Sequence, residues 1–280
     1  MSLITSIIPK NEITLKFYRM LRRFEPLSKN YPVDLNFEIT TVCNSKCVFC
    51  THEGLVKSGK KEVKHMDFNL IKLICDKFVE MTKEIPSEKL TVNVTGLGEP
   101  LLHPKYFETI ELIRHCFPKA RIVTNTNGIC LDERKAKKII ESSLDHLCIS
   151  IRFLDKDVYK QQSGVDKYET VVSNVKNFLK MKGIKPSCNL QVFDTEDFQK
   201  FVNIWKPYLN KNDNILIERY VNLVGWCNGE YKKPRKNPCR QLWRLIMVDV
   251  NGYVYPCCEG IWIPFNEDLC LGYITDEKMI

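Results

Sequence analysis

The stretch LNFEITTVCNSKCVFC, residues 35–50, decides the fold. Its first part, residues 35–40, alternates apolar and polar side chains with the period of two that predicts a β-strand. Three cysteines follow at once, Cys43, Cys47 and Cys50, in a Cys-x3-Cys-x2-Cys pattern. Clustered thiolates can hold a metal ion or an iron–sulfur cluster. The stretch therefore predicts a metal-binding loop at the end of a strand.

Zinc is the simplest alternative occupant of such a loop. Structural zinc sites take four ligands, often arranged in Cys-x2-Cys pairs, and this loop has three cysteines with a longer first interval. His52 follows Cys50 too closely to serve easily as a fourth ligand. Three cysteines on a four-iron cluster leave one iron with an open position, which suits a catalytic cluster.

Downstream of the loop, predicted strands and helices alternate. Strands are predicted at 35–40, 90–95, 121–126, 146–151, 188–193 and 215–220. Helices are predicted after a cap at Asp67 and over 105–116, 133–141, 167–181 and 196–208. Such alternation favours a parallel sheet with right-handed connections. Functional side chains should then collect at the carboxyl ends of the strands.

Composition excludes several classes of protein. The chain has 280 residues, 44% of them hydrophobic, with a formal charge of +8 and 13 cysteines. The basic residues are dispersed among acidic ones, so we expect no nucleic-acid partner. Residues 11–24 predict an amphipathic helix packed on the main domain. Without a membrane-spanning apolar run or a recognisable signal peptide, the sequence favours a cytoplasmic protein with no membrane partner.

Several motifs together resemble the radical S-adenosylmethionine (radical SAM) superfamily. CNSKCVFC resembles its CxxxCxxC signature, including an aromatic residue, Phe49, before the last cysteine. TGLGEP at 95–100 resembles the glycine-rich GGEP element, and TNTNG at 124–128 resembles STNG. CISI at 148–151 occupies the position of the usual ISID element. The resemblance covers residues 35 to about 220.

The resemblance implies both chemistry and ligands. Cys43, Cys47 and Cys50 would hold a four-iron cluster whose open iron binds S-adenosylmethionine. Reductive cleavage would give a 5′-deoxyadenosyl radical that abstracts hydrogen from an unactivated C–H bond. The glycines would let the backbone approach the cofactor, and Glu99 would hold its ammonium group. The implied cofactor-binding residues are Phe49, Gly96, Gly98, Glu99, Pro100, Thr124, Asn125, Thr126, Asn127, Ser150, Arg152 and Gln191.

Arg152 departs from the superfamily pattern, which often has aspartate at this position. Because side chains alternate along a strand, Ser150 and Arg152 should face the same side. Two interpretations stay open. Arg152 either forms a structural salt bridge with a partner such as Glu99 or Asp194, or it clamps a carboxylate or phosphate of the cofactor or substrate.

A second group of cysteines lies near the C-terminus. The segment PCRQLWRLIMVDVNGYVYPCC at 238–258, followed by LGYITDE at 271–277, resembles the SPASM or twitch extension that carries auxiliary iron–sulfur clusters. Asn251-Gly252 predicts a hairpin turn there. The further paired cysteines of those extensions are absent. An auxiliary cluster would be held by Cys239, Cys257, Cys258 and Cys270, or by a non-cysteine ligand, or by residues past Ile280; buried structural thiols are the alternative.

The sequence thus predicts an α/β protein with three parts. These are an N-terminal helical extension at 1–34, a partial (β/α)6 radical SAM barrel at 35–222, and a small hairpin-containing SPASM/twitch-like cap at 223–280. The implied function is oxidation or rearrangement of a small polyol- or aminosugar-type metabolite, with flavodoxin or ferredoxin as electron donor. Modification of a ribosomally made peptide is the alternative, and a zinc-binding interaction module is a remote one.

Overall fold

The computed structural model of the protein describes residues 32–218, 240–262 and 269–276. The helix predicted over residues 11–24 lies outside these ranges, as does Cys239. The predicted boundary between residues 222 and 223 lies outside them too. The three-part division of the chain therefore remains a prediction.

One sheet of nine strands runs through the described residues. The strands are β1 (Asp34–Phe37), β2 (Thr91–Val94), β3 (Arg121–Thr126), β4 (His146–Arg152), β5 (Ser187–Phe193), β6 (Asn214–Glu218), β7 (Leu245–Val248), β8 (Tyr253–Tyr255) and β9 (Gly272–Tyr273). Their spatial order is β6-β5-β4-β3-β2-β1-β7-β8-β9. Strands β1 to β6 are parallel and lie in chain order, and within the described residues β6 pairs only with β5. The predicted partial barrel, open on one side, is confirmed.

Seven helices accompany the described strands. They are α1 (His52–Lys57), α2 (Phe68–Met81), α3 (Tyr106–Cys116), α4 (Glu133–Glu141), α5 (Lys156–Ser163), α6 (Tyr168–Met181) and α7 (Phe198–Trp205). Asp67 caps α2 as predicted, because its carboxylate accepts a hydrogen bond from the Asn69 amide at 2.8 Å. Helices α1 and α5 were not predicted. Each is short and contributes few apolar side chains, so neither shows the helical periodicity of a core-packing helix.

The main core lies between the outer face of the sheet and the helices. Leu35 and Phe37 of β1 are fully buried in it, together with Val92 and Ile122 of the next strands. Because side chains alternate along a strand, the neighbouring polar residues face the interior of the barrel. Polar side chains on this inner face that lie at the carboxyl ends of the strands are where a ligand can reach them.

The C-terminal hairpin is present and extends the barrel sheet. Strands β7 and β8 are antiparallel around the predicted turn, where Gly252 has a φ of 95°. Strand β7 also pairs in parallel with β1, residue Asp34 lying opposite Leu245. All four β7 residues are buried, as expected of a strand covered on both faces. The predicted cap therefore shares one continuous sheet with the barrel, which the sequence prediction missed.

Candidate active site

A cavity of about 710 Å³ lies at the carboxyl ends of the parallel strands. Its volume is in the range typical of small-molecule sites. The predicted site residues that line it are Cys43, Cys47, Phe49, Cys50, Gly96, Gly98, Glu99, Pro100, Asn125, Thr126, Asn127, Ser150, Arg152 and Gln191. Strands β1 to β5 each deliver part of this set, so the fold brings together residues that are far apart in the sequence.

Three half-buried thiols, those of Cys43, Cys47 and Cys50, lie on the cavity wall. Burial raises the pKa of the Cys43 thiol to about 12 and also raises that of Cys47. A bound metal favours the ionised form of these thiols, because it displaces the proton. Among the described residues, no three Cys, His, Asp or Glu side chains converge on a single metal ion. Three thiolates on a four-iron cluster leave one iron free for another ligand, so three thiols on the wall of a cavity fit such a cluster.

The C-terminal end of helix α5 holds the cysteine loop, residues 43–50, through hydrogen bonds. The Lys46 amide donates to the Ser163 carbonyl at 2.8 Å, and the Val48 amide donates to the Gln162 carbonyl at 2.9 Å. The Ser45 hydroxyl donates to the same Ser163 carbonyl at 3.1 Å. These bonds use carbonyls that a helix end leaves without intrahelical partners. A helix that the sequence prediction missed thus fixes the backbone of the loop.

Glu99 joins the glycine loop, residues 96–99, to residues 124–128. Its carboxylate accepts hydrogen bonds from the Thr126 hydroxyl at 2.8 Å, the Asn127 amide at 2.7 Å and the Leu101 amide at 3.2 Å. It is 2% exposed, and burial raises its pKa. A carboxylate has about four acceptor positions, so one is left for a ligand. Loop organisation is a role of Glu99 that the sequence prediction lacked.

An asparagine pair connects residues 124–128 to the cysteine loop. The Asn127 side chain donates to the Asn44 amide oxygen at 2.7 Å, and Asn44 in turn donates to the Cys130 sulfur at 3.1 Å. Three loops at the ends of β1, β2 and β3 are therefore linked by side-chain hydrogen bonds before any ligand is bound.

Close packing within the protein also explains the two glycines of the glycine loop. A Cβ on Gly98 would lie 2.3 Å from the Thr40 carbonyl oxygen, and one on Gly96 would lie 2.5 Å from Cγ of Glu38. Any side chain at either position would push the loop away from the end of β1. The glycines are therefore needed for packing as well as for the approach of a ligand that we predicted.

Thr124 is the one predicted cofactor-binding residue that does not line the cavity. It is fully buried, and its hydroxyl donates to the Val94 carbonyl at 2.7 Å. The Thr124 side chain therefore makes its hydrogen bond inside the sheet rather than toward the cavity. The next three residues, Asn125, Thr126 and Asn127, do line the cavity. A cofactor-binding role for Thr124 stays a prediction.

Ser150 and Arg152 both line the cavity, as predicted, but they reach it through an irregular strand end. A register shift separates their pairings with β5, and Arg152 has a φ of 65°. Ser150 donates to the Gln191 side-chain oxygen at 2.6 Å. Left-handed φ values are uncommon for residues other than glycine, and such strain often accompanies functional sites.

Glu218, rather than the predicted Glu99 or Asp194, pairs with Arg152. The two side chains meet through the arginine Nε at 3.1 Å, and both are partly buried at the cavity wall. The guanidinium lies 5.0 Å from the ring centre of Phe49 and 5.2 Å from that of Phe193. Glu218 was missed because its partner depends on the pairing of β6 with β5. The available signal was that Glu218 ends an alternating strand.

The described late cysteines lie beside the cysteine loop. Cys50, Cys258 and Cys270 pack against one small apolar cluster, which combines residues from the range 50–97 with residues from the range 245–270. The buried members of this cluster are Leu55, Leu97, Leu245, Met247, Tyr255 and Ile261. Trp262 also joins it and contributes to the cavity wall. Cys257 is half-buried. The predicted set of four late cysteines cannot be assembled without Cys239, which lies outside the described residues.

Two family models match the chain in the regions just described. The model of the radical SAM superfamily matches residues 37–204. The chain belongs to the radical SAM superfamily. A second model, the SPASM iron-sulfur cluster-binding domain, matches residues 239–280. Both parts of the resemblance seen in the sequence are confirmed.

Curated relatives of this radical SAM chain include GTP 3′,8-cyclases. The protein of Vibrio vulnificus strain YJ016 is 27% identical over 141 residues, which cover 50% of this chain and 40% of the relative. The protein of Vibrio atlanticus is 26% identical over 256 residues, which cover 84% of this chain and 72% of the relative. A probable GTP 3′,8-cyclase of Sulfurisphaera tokodaii is 30% identical over 155 residues, covering 55% and 44%. The chain thus spans less than half the length of two of these relatives.

Solved structures share the radical SAM fold of this chain. SuiB of Streptococcus suis bound to the precursor peptide SuiA aligns with a TM-score of 0.67 at 13% identity, covering 97% of this chain and 69% of SuiB. anSMEcpe with bound AdoMet aligns with a TM-score of 0.64 at 18% sequence identity, covering 89% of this chain and 79% of anSMEcpe. BtrN in complex with AdoMet and 2-DOIA aligns with a TM-score of 0.58 at 18% sequence identity, covering 89% of this chain and 81% of BtrN. At these identities the similarity establishes the fold alone.

Membership of the superfamily settles the cofactor class. A radical SAM enzyme uses a four-iron cluster and S-adenosylmethionine, and the SPASM match adds auxiliary iron–sulfur binding. The three thiols on the cavity wall fit that assignment. With both family models matched, the zinc-binding interaction module is no longer a competing interpretation. None of the described helices has the length and apolar character needed to cross a bilayer.

Proposed function

We propose that this radical SAM enzyme oxidises or rearranges a small polyol- or aminosugar-type metabolite in the cavity at the carboxyl ends of the strands. The observation that carries the proposal is the convergence of Cys43, Cys47 and Cys50 with the glycine loop and Arg152 around one cavity of about 710 Å³. When bound, the cluster and S-adenosylmethionine supply one-electron chemistry that removes hydrogen from an unactivated C–H bond. Auxiliary iron–sulfur binding at the late cysteines would assist the net oxidation.

Residues of the barrel bind and orient the cofactors in this proposal. Cys43, Cys47 and Cys50 bind the cluster as thiolates. The glycine loop presents backbone groups to S-adenosylmethionine, and the remaining acceptor position of Glu99 receives the ammonium group. Ser150 and Gln191, already joined at 2.6 Å, present polar atoms to the same ligand. Phe49 and Trp262 add apolar surface that excludes water from the reacting atoms.

The wall around Arg152 and Glu218 supports a small polar substrate. The arginine uses its Nε for Glu218, and its two terminal nitrogens make no hydrogen bond within the described residues. The pair offers hydrogen-bond donors and a carboxylate acceptor side by side, which suits a substrate that carries hydroxyl and amino groups. Cluster, cofactor and substrate must share about 710 Å³, which also favours a small substrate.

Peptide modification is the second candidate, favoured by the edge strand β6. Ile217 lines the cavity and is 52% exposed, and its neighbour Leu216 is 41% exposed. A longer substrate could lie along this apolar edge while one side chain enters the cavity. SuiB binds the precursor peptide SuiA and anSMEcpe binds the Cp18Cys peptide in their solved structures, so a related fold accommodates such ligands.

The experiment uses anaerobically reconstituted full-length protein with S-adenosylmethionine and a flavodoxin or ferredoxin reducing system. Substrate panels contain deuterated polyols and aminosugars, peptides, and GTP. Transfer of deuterium from a polyol or aminosugar to 5′-deoxyadenosine is expected. The product should weigh two hydrogens less than the substrate after oxidation, or be its isomer after rearrangement. Transfer from peptides alone would favour the second candidate. Absence of S-adenosylmethionine cleavage by fully loaded protein would contradict both.

We also propose the cytoplasm as the site of action. Its reducing conditions keep thiols available for iron, and flavodoxin or ferredoxin would supply the electron there. Fractionation of cells that carry the tagged protein tests this proposal. The protein should be recovered in the cytoplasmic fraction, and recovery in the membrane pellet would contradict the proposal.

A further inference from the structure

A buried charge network lies directly behind the glycine loop. Glu38, at the end of β1, is fully buried, and one of its carboxylate oxygens accepts from the Leu97 amide at 2.9 Å. Its other oxygen pairs with the Lys61 ammonium at 2.8 Å and accepts from the Val250 amide at 3.2 Å. A single carboxylate therefore connects the glycine loop, the segment after α1 and the C-terminal hairpin.

The C-terminal side of the network is organised by Asp249. One of its oxygens lies 3.7 Å from the Lys61 ammonium. Its other oxygen accepts from the Asn251 and Tyr253 amides at 2.9 and 3.0 Å, which fixes the hairpin turn. Lys61 thus lies between two acidic side chains, one from the barrel and one from the C-terminal hairpin.

The glycine loop depends on this network from two directions. The Leu97 amide is held by Glu38, and the Leu97 side chain is buried in the apolar cluster that contains Met247 and Tyr255 of the hairpin. Gly96 packs so closely on Glu38 that no side chain fits between them. The loop has packed protein behind it and the cavity in front of it.

We infer that Glu38 and Lys61 are positioning residues for S-adenosylmethionine, and that through them the C-terminal hairpin sets the shape of the glycine loop. The inference rests on the proposed function, which has this loop bind the cofactor. Removal of the Lys61 charge leaves a carboxylate buried without its cation, which is strongly unfavourable. The Glu38 side chain then takes up a proton or moves, and its hydrogen bond to Leu97 weakens.

The test is Lys61→Met in the full chain, with Lys182→Met as the matched control. Lys182 and Asp213 form another fully buried pair, also at 2.8 Å, near the amino end of β5 and away from the cavity. Both variants should lose stability. Only Lys61→Met should speed amide hydrogen exchange at residues 96–98 in protein without S-adenosylmethionine. It should also weaken S-adenosylmethionine binding to the loaded protein about tenfold.

Two further variants keep the test decisive. Lys61→Arg retains the charge and should restore most of the binding. If Lys61→Met fails to fold, Asp249→Asn removes a charge near Lys61 while leaving an oxygen for the turn amides, and it should shift loop exchange and binding in the same direction by less. Wild-type exchange and affinity in a folded Lys61→Met protein would overturn the inference. Failure of the wild-type protein to bind S-adenosylmethionine would instead contradict the proposed function.

Discussion

For Arg152, the sequence predicted the position of the side chain but not its partner. Strand alternation correctly predicted that it shares the cavity face with Ser150. Its partner could not be predicted, because the pairing with Glu218 depends on a register shift in β4 and on the placement of β6 beside β5. Such long-range pairing leaves no local trace in the sequence. The left-handed backbone of Arg152 was equally invisible there.

Arg152→Lys should weaken the binding of S-adenosylmethionine or substrate by roughly 1–3 kcal/mol if the guanidinium clamps an anion. Lysine keeps the charge but loses the planar group that lies against the Phe49 and Phe193 rings while it donates to Glu218. Calorimetric titration of both ligands measures the change.

The control for that substitution is Arg114→Lys. Arg114 also pairs with a partly buried carboxylate, Asp145, but it does not line the cavity. This variant should retain wild-type ligand affinity. Should Arg152→Lys also bind both ligands normally, the Arg152–Glu218 pair is a structural salt bridge.

At the scale of elements, helices and strands with a strong pattern were predicted and helices without one were not. Helix α2 has a capping aspartate and a regular apolar face, and its predicted cap was confirmed. Helix α5 buries only Tyr159 and Ser163, so its sequence carries no clear amphipathic signal. Its formation depends on the Asp155 cap and on contacts with the cysteine loop. The helix that holds the candidate cluster loop was thus one of the two helices, α1 and α5, that periodicity did not reveal.

Gly164→Ala should impair loading of the cluster at the cysteine loop. Gly164 ends α5 with a φ of 70°, and a Cβ there would lie 2.8 Å from the Lys46 carbonyl oxygen. The loop must therefore shift to accommodate the methyl group. We expect a clear drop in iron per chain and in S-adenosylmethionine cleavage after anaerobic reconstitution.

Gly59→Ala is the matched control. Gly59 has nearly the same φ, 71°, but its Cβ would meet no atom within 4 Å. Both variants bear the cost of a left-handed alanine, about 1 kcal/mol, so the difference between them isolates the contact with Lys46. Equal iron content in the two proteins would show that α5 does not govern cluster loading.

For the whole molecule, the alternation of strands and helices correctly predicted a parallel sheet, as β1 to β6 form it. The position of β7 beside β1 was missed, because the turn at Asn251-Gly252 indicates only the local pairing of β7 with β8. A usable signal was present in LIMV, residues 245–248. Four consecutive apolar residues are typical of a strand buried on both faces, as in a parallel sheet.

Replacing Cys43, Cys47 and Cys50 together by Ala should abolish S-adenosylmethionine cleavage and leave iron bound at the late cysteines. The two groups are separate in the sequence, and the SPASM match covers only the second. About four iron atoms per chain should remain, the content of one cubane cluster. Iron analysis and a cleavage assay measure both outcomes.

Cys116→Ser, which alters a half-buried thiol at the end of α3 outside the cavity lining, should keep the full iron content and serves as control. Cleavage at the wild-type rate by the triple variant would refute the assigned cysteine loop. A folded triple variant with almost no iron would mean that the late cysteines are structural thiols.

The pairing of β1 with β7 has a consequence for biosynthesis. Asp34 and Arg244, which meet at this edge, are 210 positions apart. During synthesis, the backbone groups on the outer edge of β1 therefore have no β7 partner until the ribosome has translated nearly all of the described residues. An uncovered strand edge is prone to intermolecular pairing. Slow translation or low chaperone capacity should thus favour aggregation before iron can be inserted.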